Sequence, residues 1–189
     1  MPDIFVGSLR NRVRVMNALW ERAVADMTLA HVNHHERAGV LPIAFSLNHF
    51  MRAQDQSVSR VFFSETPLWE QGGWAPKVGV NVDKFGLGET VEEMETLRFA
   101  DLDAWRAYQS AVIERTARVL ADATEELLSQ VVVPKLPPIL DKSYCAIVIG
   151  DGPLRRLEVI ECFIYQHGLR HMGEIEHGRS LVGLGGMTA

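Results

Sequence analysis

The chain has 189 residues, of which 47% are hydrophobic and 23% are charged, and its formal net charge is −5. This composition predicts one globular domain over residues 1–189, long enough to bury a core. The mild acidity and the scattered basic residues argue against nucleic acid as a partner, because phosphate binding needs clustered Lys and Arg. No stretch has the apolar length of an export signal or a membrane span, so we predict a cytoplasmic protein without a membrane partner.

Two amphipathic helices are predicted in the first third of the chain. The first covers about residues 8–30, where apolar side chains recur at three- and four-residue steps. A polar, histidine-rich run follows, and its glycine and its closing Pro42 indicate a connection rather than a site. Its histidines are His31, His34 and His35. The second helix begins at Pro42, a residue favoured in a first helical turn, and continues to about Phe63, with His49 near its start.

Residues 64–100 contain no long periodic segment and are rich in glycine and proline. Structureless connections of this length are uncommon in compact domains and often contain short elements. A short helix is predicted over Glu89–Leu97. Trp69 and Trp74 indicate that the segment folds back onto the body of the protein, either as a packed loop or as a lid over a pocket.

A third helix is predicted over Leu102–Gln130, and Asp101 or Asp103 is available to cap its N-terminus. The prolines that follow it forbid a further helix there. They are Pro134, Pro137 and Pro138. Ser143–Ile149 is a short apolar run, which we interpret as a strand or a packed extended segment.

The last helix, predicted from Pro153 to about Gly183, carries the most informative pattern of the chain. One of its faces is apolar at both ends and is interrupted in the middle by His167, His171 and Glu174. The full face consists of Ile160, Phe163, Ile164, His167, His171, Glu174, Ile175 and Val182. Buried imidazoles need partners, and rings four residues apart can reach one point, so a metal ion would satisfy both. A solvated or hydrogen-bonded histidine pair is the alternative.

Glycines and a cysteine accompany this pattern. Gly168, Gly173 and Gly178 are unfavourable inside a helix, so they leave room for a ligand or for the approach of another backbone. Cys162 lies off the histidine face and is predicted to be a packed core thiol. With Cys145 it makes only two cysteines, too few for a disulfide framework.

Four long amphipathic helices in one domain predict an all-α four-helix bundle with a long loop between helices 2 and 3. His49 would join the pair on the last helix, and three protein ligands with an open fourth position are the pattern of catalytic zinc. Glu174, one turn beyond His171, is a candidate fourth ligand, general base or acceptor for a ring N–H. The alternative for Glu174 is a surface pair with Arg170 or Arg179.

The chain resembles the DinB-like superfamily, the DinB/YfiT type of small bundle. The resemblance lies in a histidine early in helix 2, within LNHFMRAQDQ, and in the last-helix segment HGLRHMGEIEHGRSLVGLGG. It extends over essentially the whole chain, including its length and its long central loop. It implies that His49, His167 and His171 are the ligands of a divalent metal ion, zinc or nickel, and that the protein is a homodimer.

Three functional hypotheses follow from the residues and the resemblance together. The first is a metal-dependent enzyme acting on a small molecule, either an S-transferase that uses a low-molecular-weight thiol such as bacillithiol or mycothiol, as the resemblance implies, or a hydrolase, in which the metal would hold hydroxide. The second is a non-catalytic bundle that binds a metal ion or a small ligand, since many family members have no assigned activity. The third is an interaction protein whose glycine-bearing helix packs across a dimer.

Overall fold

The structure is a computed structural model that describes residues 4–84 and 88–187. These residues are mostly helical, as predicted. The helices are α1 (Ile4–Ala25), α2 (Leu29–Val32), α3 (Ile43–Val58), α4 (Leu68–Gln71), α5 (Trp74–Val78), α6 (Val91–Glu95), α7 (Leu102–Ala121), α8 (Glu125–Ser129), α9 (Tyr144–Ile149), α10 (Arg156–Glu158) and α11 (His167–Leu181). The strands are β1 (Val131–Val133) and β2 (Leu154–Arg155), which pair antiparallel. The π-helical stretches are Ser59–Phe63 and Val159–Gln166, and a 3-10 turn covers Pro138–Leu140.

The long helices share one hydrophobic core, because each buries the apolar residues that recur along one of its faces. Trp20 of α1 stacks on Phe50 of α3, with ring centroids 4.4 Å apart. Trp105 and Tyr108 of α7 are fully buried in the same core. Helix α3 lies against both α11 and the π-helical stretch Val159–Gln166, which precedes α11. Within the described ranges no helix combines the length and apolar character needed to cross a bilayer.

Two glycines of α11 allow it to approach its neighbours closely. A Cβ atom on Gly168 would lie 2.3 Å from Sδ of Met16 and 2.6 Å from Cζ of Phe50. A Cβ atom on Gly178 would lie 2.6 Å from Cγ1 of Ile43. These two glycines therefore serve packing against side chains of the same chain, whereas the sequence analysis expected room for a ligand or the approach of another backbone.

The last helix begins later than predicted, because the chain around Pro153 is extended. Leu154 and Arg155 pair with β1, and the Arg156 N–H donates to the Gln130 carbonyl at 3.0 Å. Proline fits extended backbone as well as a first helical turn, so the position of Pro153 did not decide between them.

The helical face predicted around the histidines is also changed at its start. The π-helical stretch Val159–Gln166 makes wider turns than an α-helix and so rotates the residues along it. Ile160 and Ile164 enter the main core, whereas Phe163 packs in a smaller cluster that contains Cys145 and Cys162. Cys162 is buried and forms no disulfide, which confirms the predicted core thiol.

The third predicted helix is shorter than expected and the apolar run after it is not a strand. Helix α7 begins at its Asp101 cap and ends at Ala121, and the Thr124 side chain caps the separate helix α8. The run at 143–149 forms α9, because the Ser143 hydroxyl accepts from the Ala146 N–H at 3.2 Å and caps it. Ile147 is 79% exposed, so the run is not the buried strand that its apolar residues suggested.

The segment 64–100 forms the short helices α4, α5 and α6, and α6 lies inside the predicted Glu89–Leu97. Asp55 anchors the beginning of this segment, because its carboxylate accepts from the backbone N–H groups of Leu68 and Trp69, both at 2.9 Å. Trp69 is buried beside Tyr108, with ring centroids 4.9 Å apart. The contacts with Asp55 of α3 and with Tyr108 of α7 show that the segment is folded onto these two helices.

Candidate metal centre

Three predicted histidines from two helices bring their ring nitrogens together. Nε2 of His167 lies 3.0 Å from Nε2 of His49 and 2.9 Å from Nε2 of His171. One nitrogen from each of the three rings lies within 4.8 Å of the other two. This is the one group of its kind among His, Cys, Asp and Glu side chains in the described part of the chain. The histidines of the 31–35 run do not belong to this group, and His34 bonds Glu36 at 2.9 Å.

The local fold explains why these rings meet. His167 and His171 are four residues apart at the start of α11, so they project from the same side of the helix. His49 is part of α3, which packs directly against α11. Gly168 lets the two helices approach, because a larger residue beside His167 would overlap Phe50 of α3.

Glu174 orients His171 from behind. Its carboxylate oxygen lies 2.6 Å from Nδ1 of His171 and also accepts from the Ser46 hydroxyl at 2.7 Å. Burial raises the pKa of Glu174, but the hydrogen bonds from His171 and Ser46 outweigh burial and lower the pKa overall. An ionised carboxylate only accepts, so His171 donates from Nδ1 and keeps the lone pair of Nε2 for the centre.

His167, the central ring, is held neutral. Burial lowers its pKa to about 3, and the positive charge that His171 and His49 carry when protonated would act in the same direction. A hydrogen bond to the backbone of Phe163 opposes this shift, and the charge of Arg170 adds to it. A neutral imidazole is the form that binds a metal ion, so no proton has to leave His167 first.

The donor set fits a divalent metal ion. Nitrogen ligands bind zinc at about 2.0–2.1 Å, and tetrahedral angles then place two such ligands roughly 3.3 Å apart. The closest ring nitrogens are 2.9 and 3.0 Å apart, so small side-chain rotations would accommodate an ion. His171 has the carboxylate partner on its other nitrogen that metal-binding histidines usually have. The three histidines could therefore hold a metal ion.

A cavity of about 460 Å³ opens beside His49 and His167. Its walls are largely apolar, and its polar side chains lie mainly toward solvent. The lining residues are His49, Ala53, Gln56, Ser57, Arg60, Val61, Leu140, Lys142, Ser143, Tyr144, Cys145, Leu154, Val159, Phe163, His167 and Arg170. A space of this size is within the usual range for a small-molecule site, about 300–1,000 Å³.

The wall of this cavity is formed by residues that the sequence analysis did not predict to lie at a site. The predicted lid was residues 64–100, but no described residue of that segment lines this cavity. The wall is instead the turn and helix start at 140–145, together with the π-helical stretch 159–166. The described residues of this segment therefore form no part of the cavity wall, and the packed-loop alternative agrees with the structure.

Sequence reasoning also missed Ser46. It supports Glu174 from α3, and the predicted alternative of a pair between Glu174 and Arg170 or Arg179 is not what the structure shows. A signal for Ser46 existed, because it precedes His49 by three residues and so lies on the same side of α3.

The fold and the site together define a mostly helical protein with a three-histidine group suited to a metal ion. No protein-family model matches the chain, and no curated protein sequence matches it. The chain is similar to a solved structure described as the conserved protein of locus from Enterococcus faecalis, with a TM-score of 0.74 and 21% identity. The similarity covers 93% of this chain and 95% of the other. At this identity it shows a shared fold.

Proposed function

We propose that this protein is a metal-dependent enzyme of the DinB-like type, a four-helix bundle in which His49, His167 and His171 hold one divalent ion. The observation that carries the proposal is the convergence of three imidazole nitrogens, with His49 and His167 also lining a cavity of about 460 Å³. Zinc and nickel are the first candidates, because both accept imidazole ligands readily. The cavity is the place for a small-molecule substrate, and we expect a homodimer.

The residues of the chain prepare this site in two ways. Glu174 fixes the tautomer of His171, so we assign Glu174 a positioning role rather than the role of a general base. Burial keeps His167 neutral. An ion held by His49, His167 and His171 would lower the pKa of a bound water or thiol, which would supply a nucleophile near neutral pH.

Of the two reaction classes, thiol-dependent S-transfer agrees better with the cavity than hydrolysis. Hydrolysis uses a general base to take a proton from the attacking water or a general acid to protonate the leaving group. No carboxylate occurs among the described residues that line the cavity, and Glu174 is engaged by His171 and Ser46. Attack by a thiol requires only that its proton be lost, and a thiolate is a strong nucleophile without a further base.

The test is a turnover assay on protein loaded with zinc or with nickel. Displacement of chloride from 1-chloro-2,4-dinitrobenzene is followed with cysteine, glutathione, bacillithiol and mycothiol, and hydrolysis of p-nitrophenyl acetate is followed without thiol. We expect thioether formation that depends on metal and is lost in His167→Ala, while the control His34→Ala retains it. Ester hydrolysis alone would favour the hydrolase, and a metal-loaded protein with no turnover would reduce the proposal to metal binding.

A further inference from the structure

The charged side chains that line the cavity beside the histidines are cationic, although the chain as a whole has a net negative charge. These charged lining residues are Arg60, Lys142 and Arg170, and no described carboxylate lines the cavity. The whole chain has 24 acidic and 19 basic residues. An acidic chain that presents only cations to its cavity has a local positive potential, which attracts anions.

The cations are available to a ligand. Among the described residues, neither Lys142 nor Arg170 has an ion pair, and both are exposed residues that line the cavity. Arg60 has one carboxylate neighbour, Glu70, at 3.8 Å, and both side chains of that pair are at least half exposed. Exposed pairs of this length are weak, so Arg60 can turn to a better partner.

The cavity also has an apolar lining. Val61, Leu140 and Phe163 are half-buried lining residues, and Leu154 and Val159 are buried ones. These side chains offer contact area to a hydrocarbon or aromatic group and no hydrogen bond. A fully polar ligand would leave this part of the cavity unused.

We propose that this cavity binds a small amphipathic organic anion, with its apolar body between Val61, Leu140 and Phe163 and its anionic group among Arg60, Lys142 and Arg170. The inference rests on the proposed function in one respect, since the bound molecule then lies next to His49 and His167 as a substrate would. The cations determine the sign of the accepted charge, and the walls determine that an apolar group accompanies it.

The experiment compares two probes of equal shape. 4-Phenylbutanoate and its neutral amide are titrated into the ¹⁵N-labelled full chain, once as purified and once after treatment with a chelator, and shifts are followed at Ala53, Val61 and Phe163. We expect the carboxylate to bind roughly tenfold more tightly than the amide, with or without metal, because several weak charge contacts together give about this factor. The shifts should be confined to the cavity.

Two triple variants separate local charge from net charge. Arg60→Gln/Lys142→Gln/Arg170→Gln should bind the carboxylate no better than the amide. The control carries the same change in net charge at exposed positions outside the cavity, Arg22→Gln/Arg37→Gln/Arg118→Gln, and should bind like the parent.

Several outcomes would overturn the inference. Equal affinity of the two probes, or an unchanged affinity in the cavity variant, would show that the cations do not select an anion. Carboxylate binding that occurs only with metal present and is insensitive to the cations would place the anion on the ion itself, which would leave the proposed function standing. Conversely, a chain that retains no metal but passes the anion test would refute the proposed function and not this inference.

Discussion

Replacing Gly168 by alanine tests whether close helix packing is what brings the histidines together. The new methyl group would lie 2.3 Å from Sδ of Met16 and 2.6 Å from Cζ of Phe50. Phe50 is fully buried and stacks on Trp20 at 4.4 Å, so it has little room to move away. We therefore expect α11 to shift away from α3, and the site to loosen with it.

The size of the effect follows from two opposing terms. Overpacking a core costs about 1–3 kcal/mol, and two fully buried neighbours place this site near the upper end of the range. Alanine in place of glycine gains about 1 kcal/mol of helix propensity. The net loss for Gly168→Ala is then about 2 kcal/mol, which corresponds to a fall in Tm of roughly 4–8 °C for a chain of this size.

Gly173 provides the matched control, since it is in the same helix and a Cβ atom there would meet nothing within 4 Å. Gly173→Ala should be stabilised by about 0.5–1 kcal/mol. Urea unfolding and thermal unfolding of both variants, with metal removed, measure the difference. Equal stability of the two variants, or a more stable Gly168→Ala, would refute the packing argument.

Three further predictions concern the site and its supports. Glu174→Gln should weaken metal binding roughly tenfold or more, because the carboxylate orients His171, and Ser46→Ala should weaken it less. In the metal-free protein His167 has a folded-state pKa of about 3, below the unfolded value of about 6.5. The unfolded state then binds more protons, so stability should fall as the pH drops from about 6.5 toward 3. Arg179→Met should cost about 2 kcal/mol, because it removes charged hydrogen bonds to Asp26 as well as bonds to backbone carbonyls.

Each of these predictions has its own measurement. Calorimetric titration with zinc measures the loss of affinity in Glu174→Gln, with the exposed Glu125→Gln as the control, and an unchanged affinity would remove Glu174 from the site. Urea unfolding at pH 7 and pH 5 measures the dependence of stability on pH, and His167→Gln should show a smaller dependence than the parent. For the Arg179–Asp26 pair, urea unfolding should show that Asp26→Asn loses about half as much stability as Arg179→Met, because Asp26 is 55% exposed and the pair is partly screened by solvent.

The metal-ligand candidates were predictable because the signal was local. Imidazoles four residues apart at the centre of an apolar face indicate either a shared partner or a solvated or hydrogen-bonded pair. His49 could be added because it lies near the start of another amphipathic helix and because the resemblance to the DinB-like superfamily implies it as a ligand. The structure brings these three residues together in the predicted arrangement.

The local departures from the predicted helices came from short-range chemistry that periodicity does not contain. The Ser143 cap turns an apolar run into α9, and pairing with β1 holds the residues after Pro153 extended. The π-helical stretch Val159–Gln166 changes which face Phe163 occupies. None of these features alters the average hydrophobicity of the segment, so a hydrophobic pattern cannot reveal them.

The cavity could not be predicted, because it depends on contacts between distant parts of the chain. Its lining joins α3 to residues 140–145 and to the π-helical stretch before α11. The clamp of Arg179 on Asp26 is of the same kind, with 153 residues between the partners. Such pairings follow from the way the helices pack, so the local pattern of residue types in the sequence does not predict them.

The most direct test of the central claim is the metal content of the protein purified without a histidine tag. Elemental analysis should find about one divalent ion per chain. The ion should be absent from the double variant His167→Ala/His171→Ala and retained in the control His34→Ala/His35→Ala. If neither the parent nor either variant binds a metal ion, even after zinc or nickel is added, the three histidines are satisfied by one another and the account of this site is wrong.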